Sequence, residues 1–418
     1  MTTSTALDGS TVCLVTPGQP STNPRLVKEA DALVEAGAAV HVVACKFQDW
    51  ADEAAFTDRP WTLHWLRFGE QAPRWRDLYQ RARRRMCHEV SRLVGAQPGL
   101  AERAFHYVIP ELTRTTFRVP ADLYIAHNLA ALPPAHHASR RHDARLGFDA
   151  EDFHRGEFPD RSEHEPERRL TVYLEEKYMP YCDYLTAASN GIADAYVGAV
   201  GVSQPTTVLN VFPRSERHAE IPDEVLDAER PDDVRSLYWF SQTIGPDRGL
   251  EDALQALPHL PKDVCLSLRG QWAPGYESEF RGQAREIGVA NRVRHLDLVS
   301  PDQLIRCTAQ HDIGLALEHP VSRNRQICVT NKLFTYLLAG VPFVATRTPG
   351  QQPIVESLPT AARGYSPGNA RGFATAVRAL LDASSARQEA LRAAEEQYCW
   401  DVEKKQFLEV MSQTLDSK

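Results

Sequence analysis

Twice along this chain a short apolar run gives way to a turn, an amphipathic helix and a second apolar run. The first instance opens at Val12-Cys13-Leu14-Val15 and continues through a turn rich in Pro, Gly and Ser at 17–23. Asn23 suits the cap of the following helix and Pro24 its first position. Leu26, Ala30, Leu33 and Val34 then recur on one face, Gly37 marks the end, and the next apolar run covers 40–44. Apolar runs joined by helices predict parallel strands covered on both faces, because a parallel pair needs a long crossover. Further strands are predicted at 63–66, 123–126, 146–148, 185–187 and 208–211.

A charged, proline-punctuated stretch at 213–233 interrupts the pattern and reads as a linker. The alternation then restarts. Strands are predicted at 237–240, 264–268, 293–296, 313–317 and 343–345, with helices near 250–257, 277–287 and 302–309 and from Asn331. A polar loop is expected at 318–330, and the tail at 386–415 is helical in pattern. The chain has 418 residues, more than one hydrophobic core ordinarily serves. Two Rossmann-like domains are therefore expected, at 1–213 and 214–395, with a terminal helix at 396–418 packing back on the first. Ligands of such sheets sit at the carboxyl ends of the strands.

Several function classes lose ground. The net charge of −8 argues against a nucleic-acid partner. No Gly-x-Gly-x-x-Gly, P-loop or Gly-x-Ser-x-Gly motif is present, nor an Asp-x-Asp pair. The eight cysteines are scattered without a close pair, which fits reduced, mostly buried thiols rather than zinc or disulfides. The N-terminal residues have no signal-peptide pattern and no window is apolar enough to span a bilayer, so a cytoplasmic location is expected. His311-Asp312 superficially resembles a metal phosphohydrolase motif, but it opens an apolar run and reads as part of a strand. The segment around 74–94 is rich in arginine, with Leu78, Ala82, Met86, Val90 and Leu93 on one face. It reads as a solvated helix over an apolar seam, and contact with a membrane is not expected.

The residues that carry chemistry cluster late in the chain. A helix starting at Asn331 presents free N–H groups and a partial positive charge. Lys332 in its first turn is unfavourable to the helix itself and points to an anion nearby. Asp312-Ile313-Gly314-Leu315-Ala316, with Asn331-Lys332-Leu333-Phe334-Thr335-Tyr336 and Gly340-Val341-Pro342, resembles the donor region of GT-B retaining glycosyltransferases of family 4. So do Ser21-Thr22-Asn23-Pro24-Arg25, Tyr124-Ile125-Ala126-His127-Asn128, Asn210-Val211-Phe212-Pro213 and Gly245-Pro246-Asp247-Arg248-Gly249-Leu250, in that family's order.

The resemblance implies an α/β protein of the GT-B class, two Rossmann-like domains facing each other across a cleft. It implies transfer of a sugar, with retention of anomeric configuration, from a nucleoside-diphosphate sugar to an acceptor, without metal or cofactor. A small soluble acceptor is expected, as in natural-product biosynthesis; the oligomeric state is left open. A lipid acceptor at a membrane surface and a catalytically silent partner subunit are the alternatives. Arg248 and Lys332 would bind the diphosphate, and His127 would contact the donor sugar. Gly18, Gln242, Glu318, Arg325, Asn331, Leu333 and Thr335 would complete the donor site. Asn23, Glu151 and Asp152 would face the acceptor. Two positions depart from the family: Thr335 stands where a ribose-binding Glu is usual, and Gln242 where a second cation is common.

Overall fold

A computed structural model of the chain describes residues 7–47, 56, 58–159, 161–218, 226 and 234–417. The chain divides into two compact units. The first comprises 1–208, 322–324 and 404–418, the second 209–321 and 325–403.

The first unit is built on a seven-stranded sheet: β1 Thr11–Thr16, β2 Ala39–Lys46, β3 Thr62–Arg67, β4 Leu123–His127, β5 Arg145–Ala150, β6 Tyr184–Ala187 and β7 Thr206–Thr207. Their order is β3-β2-β1-β4-β5-β6-β7, with every pairing parallel. The strand direction of travel reverses between β1 and β4, which puts the topological switch point there. In β1 the apolar residues 12–15 are buried on both faces, as a helix-covered sheet requires. The crossover helix Pro24–Glu35 begins as its sequence predicts. Asn23 Oδ1 accepts from Leu26 N at 3.0 Å and Pro24 occupies the first turn.

The second unit carries a six-stranded parallel sheet: β8 Arg235–Ile244, β9 Val264–Trp272, β10 Val293–Leu296, β11 Ile313–Ala316, β12 Phe343–Thr346 and β13 Ala362–Tyr365. The order is β10-β9-β8-β11-β12-β13. Its core brings Trp239, Leu254, Leu268, Phe280, Val344 and Phe373 together. The switch point lies between β8 and β11. None of the eight cysteines is in a disulfide, and among the described residues no helix is long and apolar enough to cross a membrane.

Some expectations are corrected. Residues 208–211 are not a strand; pairing to β6 ends with Thr207. The backbone beyond it is used otherwise: Val208 O accepts from Arg25 Nη1, and Leu209 N donates to the Glu403 carboxylate. β8 extends past 240, through an irregularity between Phe240 and Thr243. The 318–330 loop contains a short helix, Arg323–Ile327. The tail is two helices, Ala386–Glu396 and Trp400–Asp416. Of the expected linker, 219–225 and 227–233 lie outside the described residues.

The larger correction concerns Arg74–Val94. It is a 21-residue helix, but Leu78, Ala82, Met86, Val90 and Leu93 are all exposed. The helix instead buries Gln80, Cys87 and Ser91. Cys87 joins Ala101, Ala104 and Leu170 in a small apolar cluster, and Arg83 is held by both oxygens of Glu111. A helix has one face to give to its neighbours, and here the ion pair and Cys87 decide which.

Candidate active site

At the switch point of the first sheet, charged side chains are buried where the strands end. His127 is the last residue of β4, and Asp149 lies next to the end of β5. Arg25 sits in the first turn of the Pro24–Glu35 helix with Glu29 one turn later. The Arg25 guanidinium grips Asp149 with two parallel bonds of 2.6 Å, from Nε to Oδ2 and from Nη2 to Oδ1. Thr186 Oγ1 also donates to Asp149 Oδ1 at 2.6 Å. Such a bidentate pair fixes orientation as well as charge.

His127 sits among the acids. Its Nε2 is 3.3 Å from Glu29 Oε2, and its Nδ1 is 3.4 Å from Asp149 Oδ2 and 3.7 Å from Glu151 Oε1. Burial alone would lower its pKa, but Glu29, Asp149 and Glu151 together raise it well above the ordinary imidazole value. Burial likewise pushes Asp149 up, and Arg25 with His127 more than reverses that, holding its carboxyl below the usual range. Glu29 is raised by burial and by the Asp149 charge. The carboxylates around the imidazole at the strand end thus favour its protonated form.

Asn23 Nδ2 donates to Glu151 Oε1 at 2.9 Å, so these two expected acceptor residues meet beside His127. Asp152 turns elsewhere: Asn324 Nδ2 donates to its carboxylate at 2.6 Å, while Asn324 Oδ1 accepts from Phe153 N. Gly18 lies in the turn after β1. A Cβ there would meet only ordinary contacts, the nearest Thr22 Oγ1 at 3.6 Å, so its local packing does not demand glycine. Glu29, His127 and Asp149 are close enough to share a metal ion. The Asp149 oxygens, however, are already bonded to Arg25 and Thr186. With two cationic side chains in the cluster, the donor set suits an internal charge network better than a metal.

The second unit has its own strand-end cluster. Glu318 follows β11, and Lys332 lies in the first turn of the helix Asn331–Leu338. Lys332 Nζ donates to Glu318 Oε1 at 2.8 Å, both side chains are buried, and the ammonium lies 5.4 Å from the centre of the Trp239 ring. Burial would raise the Glu318 pKa, but Lys332, Arg248 and Arg325 hold it below the ordinary value. Lys332 is bonded to Glu318, and Arg248 and Arg325 act on it through their charge. The helix's N-cap, Thr330, makes no side-chain capping bond; Leu333 N donates to the Thr330 carbonyl at 3.2 Å, so the N–H groups of Asn331 and Lys332 are the ones suited to an anion.

The turn after β8 brings Arg248 there. Asp247 and Gly249 take positive φ, 59° and 72°. A Cβ on Gly249 would lie 2.2 Å from Leu317 O, so only glycine lets this turn pass against the end of β11. Arg325 Nη1 donates to Asp247 O at 2.8 Å, tying the 323–327 helix to the turn. Gln242 is exposed on β8, and Asn331 is exposed at the helix start. Leu333 is buried. Thr335 is fully buried, and its hydroxyl donates to Asn331 O at 3.2 Å, within its own helix. Tyr336 lies against Gly314, where a Cβ would come within 2.3 Å of the ring, and its hydroxyl donates to Leu315 O at 2.8 Å. His311 stacks on Tyr238 and Asp312 accepts from Ser236 N, so that pair is structural.

The sequence reading missed Arg25, Glu29, Asp149 and Trp239 as site residues. Arg25 and Glu29 are four apart on a helix, a spacing that puts both on one face. That signal was present but was masked by the apolar positions beside them.

No family model matches the chain, and no curated protein matches it. Solved structures do. HepE of Anabaena in complex with UDP and glucose is 17% identical over 97% of this chain and 100% of that one, with a TM-score of 0.69. Sucrose-phosphate synthase from Thermosynechococcus elongatus is 14% identical over 98% and 100%, with a TM-score of 0.72. The E. coli trehalose-6-phosphate structure bound with UDP-2-fluoro glucose is 15% identical over 96% and 99%, with a TM-score of 0.65. The chain has the GT-B fold, an α/β architecture of two Rossmann-like units.

Proposed function

We propose that this protein is a glycosyltransferase that uses a nucleoside-diphosphate sugar. The observation that carries the reading is the buried Lys332–Glu318 pair, with Arg248 and Arg325 near enough for their charge to act on Glu318, at the strand ends of the second unit. Three cations against one carboxylate, beside an uncapped helix N-terminus, suit a diphosphate. UDP is the first nucleotide to try, because two of the similar structures above hold UDP or a UDP sugar.

In this reading Arg248 and Lys332 take the diphosphate as negative charge grows on the leaving group. His127 takes the sugar side as a buried charge, its two ring nitrogens turned to Glu29 and Asp149, and Asn23 with Glu151 face the acceptor. The acceptor oxygen bonds to the anomeric carbon as the carbon–phosphate oxygen bond breaks. The attack comes from the face the diphosphate leaves, and a phosphate oxygen receives the acceptor proton. Retention follows, with no protein nucleophile and no metal. Catalysis then rests on positioning and electrostatics.

The acceptor admits two classes, a small soluble molecule as in natural-product biosynthesis or a membrane lipid. The exposed apolar face of Arg74–Val94 favours the second. A catalytically silent role has one observation behind it: Thr335 is buried and bonded within its helix, so it offers no carboxylate to a ribose. The purified protein, given UDP and GDP sugars with a panel of soluble and lipid acceptors, is expected to release nucleoside diphosphate only when an acceptor is present. Absence of release together with absence of nucleotide binding would leave the silent role standing.

A further inference from the structure

We infer that the helix Arg74–Val94 docks the protein on an anionic lipid bilayer. The helix displays the wrong face for a helix that belongs only to its own fold. Trp75 is 73% exposed and Leu93 86% exposed, and Leu78, Tyr79, Met86, Val90 and Val94 are exposed between them. At 100° per residue, Trp75, Ala82, Met86 and Leu93 fall within about 20° of one line along the helix. Tyr79 and Val90 widen the stripe on one side and Leu78 on the other. Contiguous exposed apolar surface of this kind marks an interaction site.

The flanks identify the partner. The helix carries seven arginines against Asp77 and Glu89. Arg74, Arg81, Arg85 and Arg92 run along one border of the stripe, roughly 100° from its centre. The protein as a whole has a net charge of −8, so this concentration is local and opposite to the average. A Trp- and Leu-bearing stripe bordered by arginine is the pattern of a helix lying in a membrane interface, with the ring and aliphatic groups among the acyl chains and the guanidinium groups at headgroup level.

A second feature lies near the helix, on the side of Ser91 rather than on the stripe itself. Beside the helix's C-terminal end lies a cavity of about 590 Å³ lined by Ser91, Arg92, Arg161, Arg168 and Arg169, with Glu165 as its acidic side chain. Arg168 and Arg169 lie 3.7 and 3.3 Å from Glu165, Arg92 lies 3.4 Å from Glu89 and Arg161 3.7 Å from Glu163, so these four arginines meet three carboxylates, a net positive balance that suits an anionic headgroup. A second copy of the chain would find the same arginines facing their own kind, which disfavours self-association through this face.

The test uses the full chain in flotation with phosphatidylcholine vesicles, with and without phosphatidylglycerol, at low and high salt. Binding to the phosphatidylglycerol vesicles is expected, about tenfold weaker on phosphatidylcholine alone and weakened by salt. The triple variant L78Q/M86Q/L93Q alters only exposed side chains, so its circular dichroism and Tm should match the parent while vesicle binding is lost. R74Q/R85Q/R92Q should lose the salt-sensitive part. Three results would overturn the inference: no binding to either vesicle, equal binding by the triple variant, or a solution dimer that the triple variant dissociates. None of these readouts depends on glycosyl transfer, so failure here leaves the proposed activity untouched, and the reverse also holds.

Discussion

Arg248 acts on Glu318 through its charge, while Lys332 is hydrogen-bonded to it. The two cations therefore differ in what their loss should do. Arg248→Ala should leave the fold intact and lower kcat/KM for the sugar donor by about 10²–10³-fold, the usual effect of removing one charge that stabilises a transition state. Release of nucleoside diphosphate measures it. His127 makes a prediction about pH. Its folded pKa is raised, so the stability it contributes is complete below the ordinary imidazole value of about 6.5 and is lost as pH rises through the folded value. Asp149, depressed in the fold, contributes stability above its ordinary range and loses it as pH falls through the folded value. Glu29, raised in the fold, behaves like His127 in sign, over the acid-side range where its ordinary value lies. The fall in Tm on the alkaline side should accordingly be shallower in His127→Gln than in the parent. Identical slopes would show that His127 is not the group that titrates.

At the scale of elements, the turn from β8 is the point where geometry is least forgiving. Gly249→Ala meets both a positive φ and the Leu317 carbonyl, and should cost about 2 kcal/mol or more, lowering Tm by several degrees. Donor affinity should fall with it, because Arg248 is the adjacent residue. The elements themselves were largely legible, since strands buried on both faces read as apolar runs. β13 was not: Ala362-Arg363-Gly364-Tyr365 has no such run, and as an edge strand it is paired by β12 alone. The helix Arg74–Val94 was legible in extent but not in direction. Periodicity locates an apolar stripe; it does not say whether the stripe faces the protein. That was settled by partners remote in sequence, Glu111 for Arg83 and Leu170 near Cys87.

Among the described residues each unit carries a strand-end cluster of charge, and the two were legible to different degrees. The Lys332 cluster was read from the sequence because its cations sit at points that the chain itself advertises, a helix start and a glycine turn. The His127 cluster was half read. His127, Asn23 and Glu151 were singled out, whereas Arg25, Glu29 and Asp149 hide among apolar neighbours and gain meaning only when helix and strands come together. Thr335 remains the residue on which the account turns, since its buried hydroxyl offers little to a ribose. Calorimetric titration of UDP into the full chain and into Lys332→Ala tests the central claim most directly. The account predicts saturable binding by the parent and at least about tenfold weaker binding by Lys332→Ala, the loss expected when a charge-assisted contact to phosphate is removed. Equal affinity in the two proteins, or no heat with UDP or GDP in either, would contradict it.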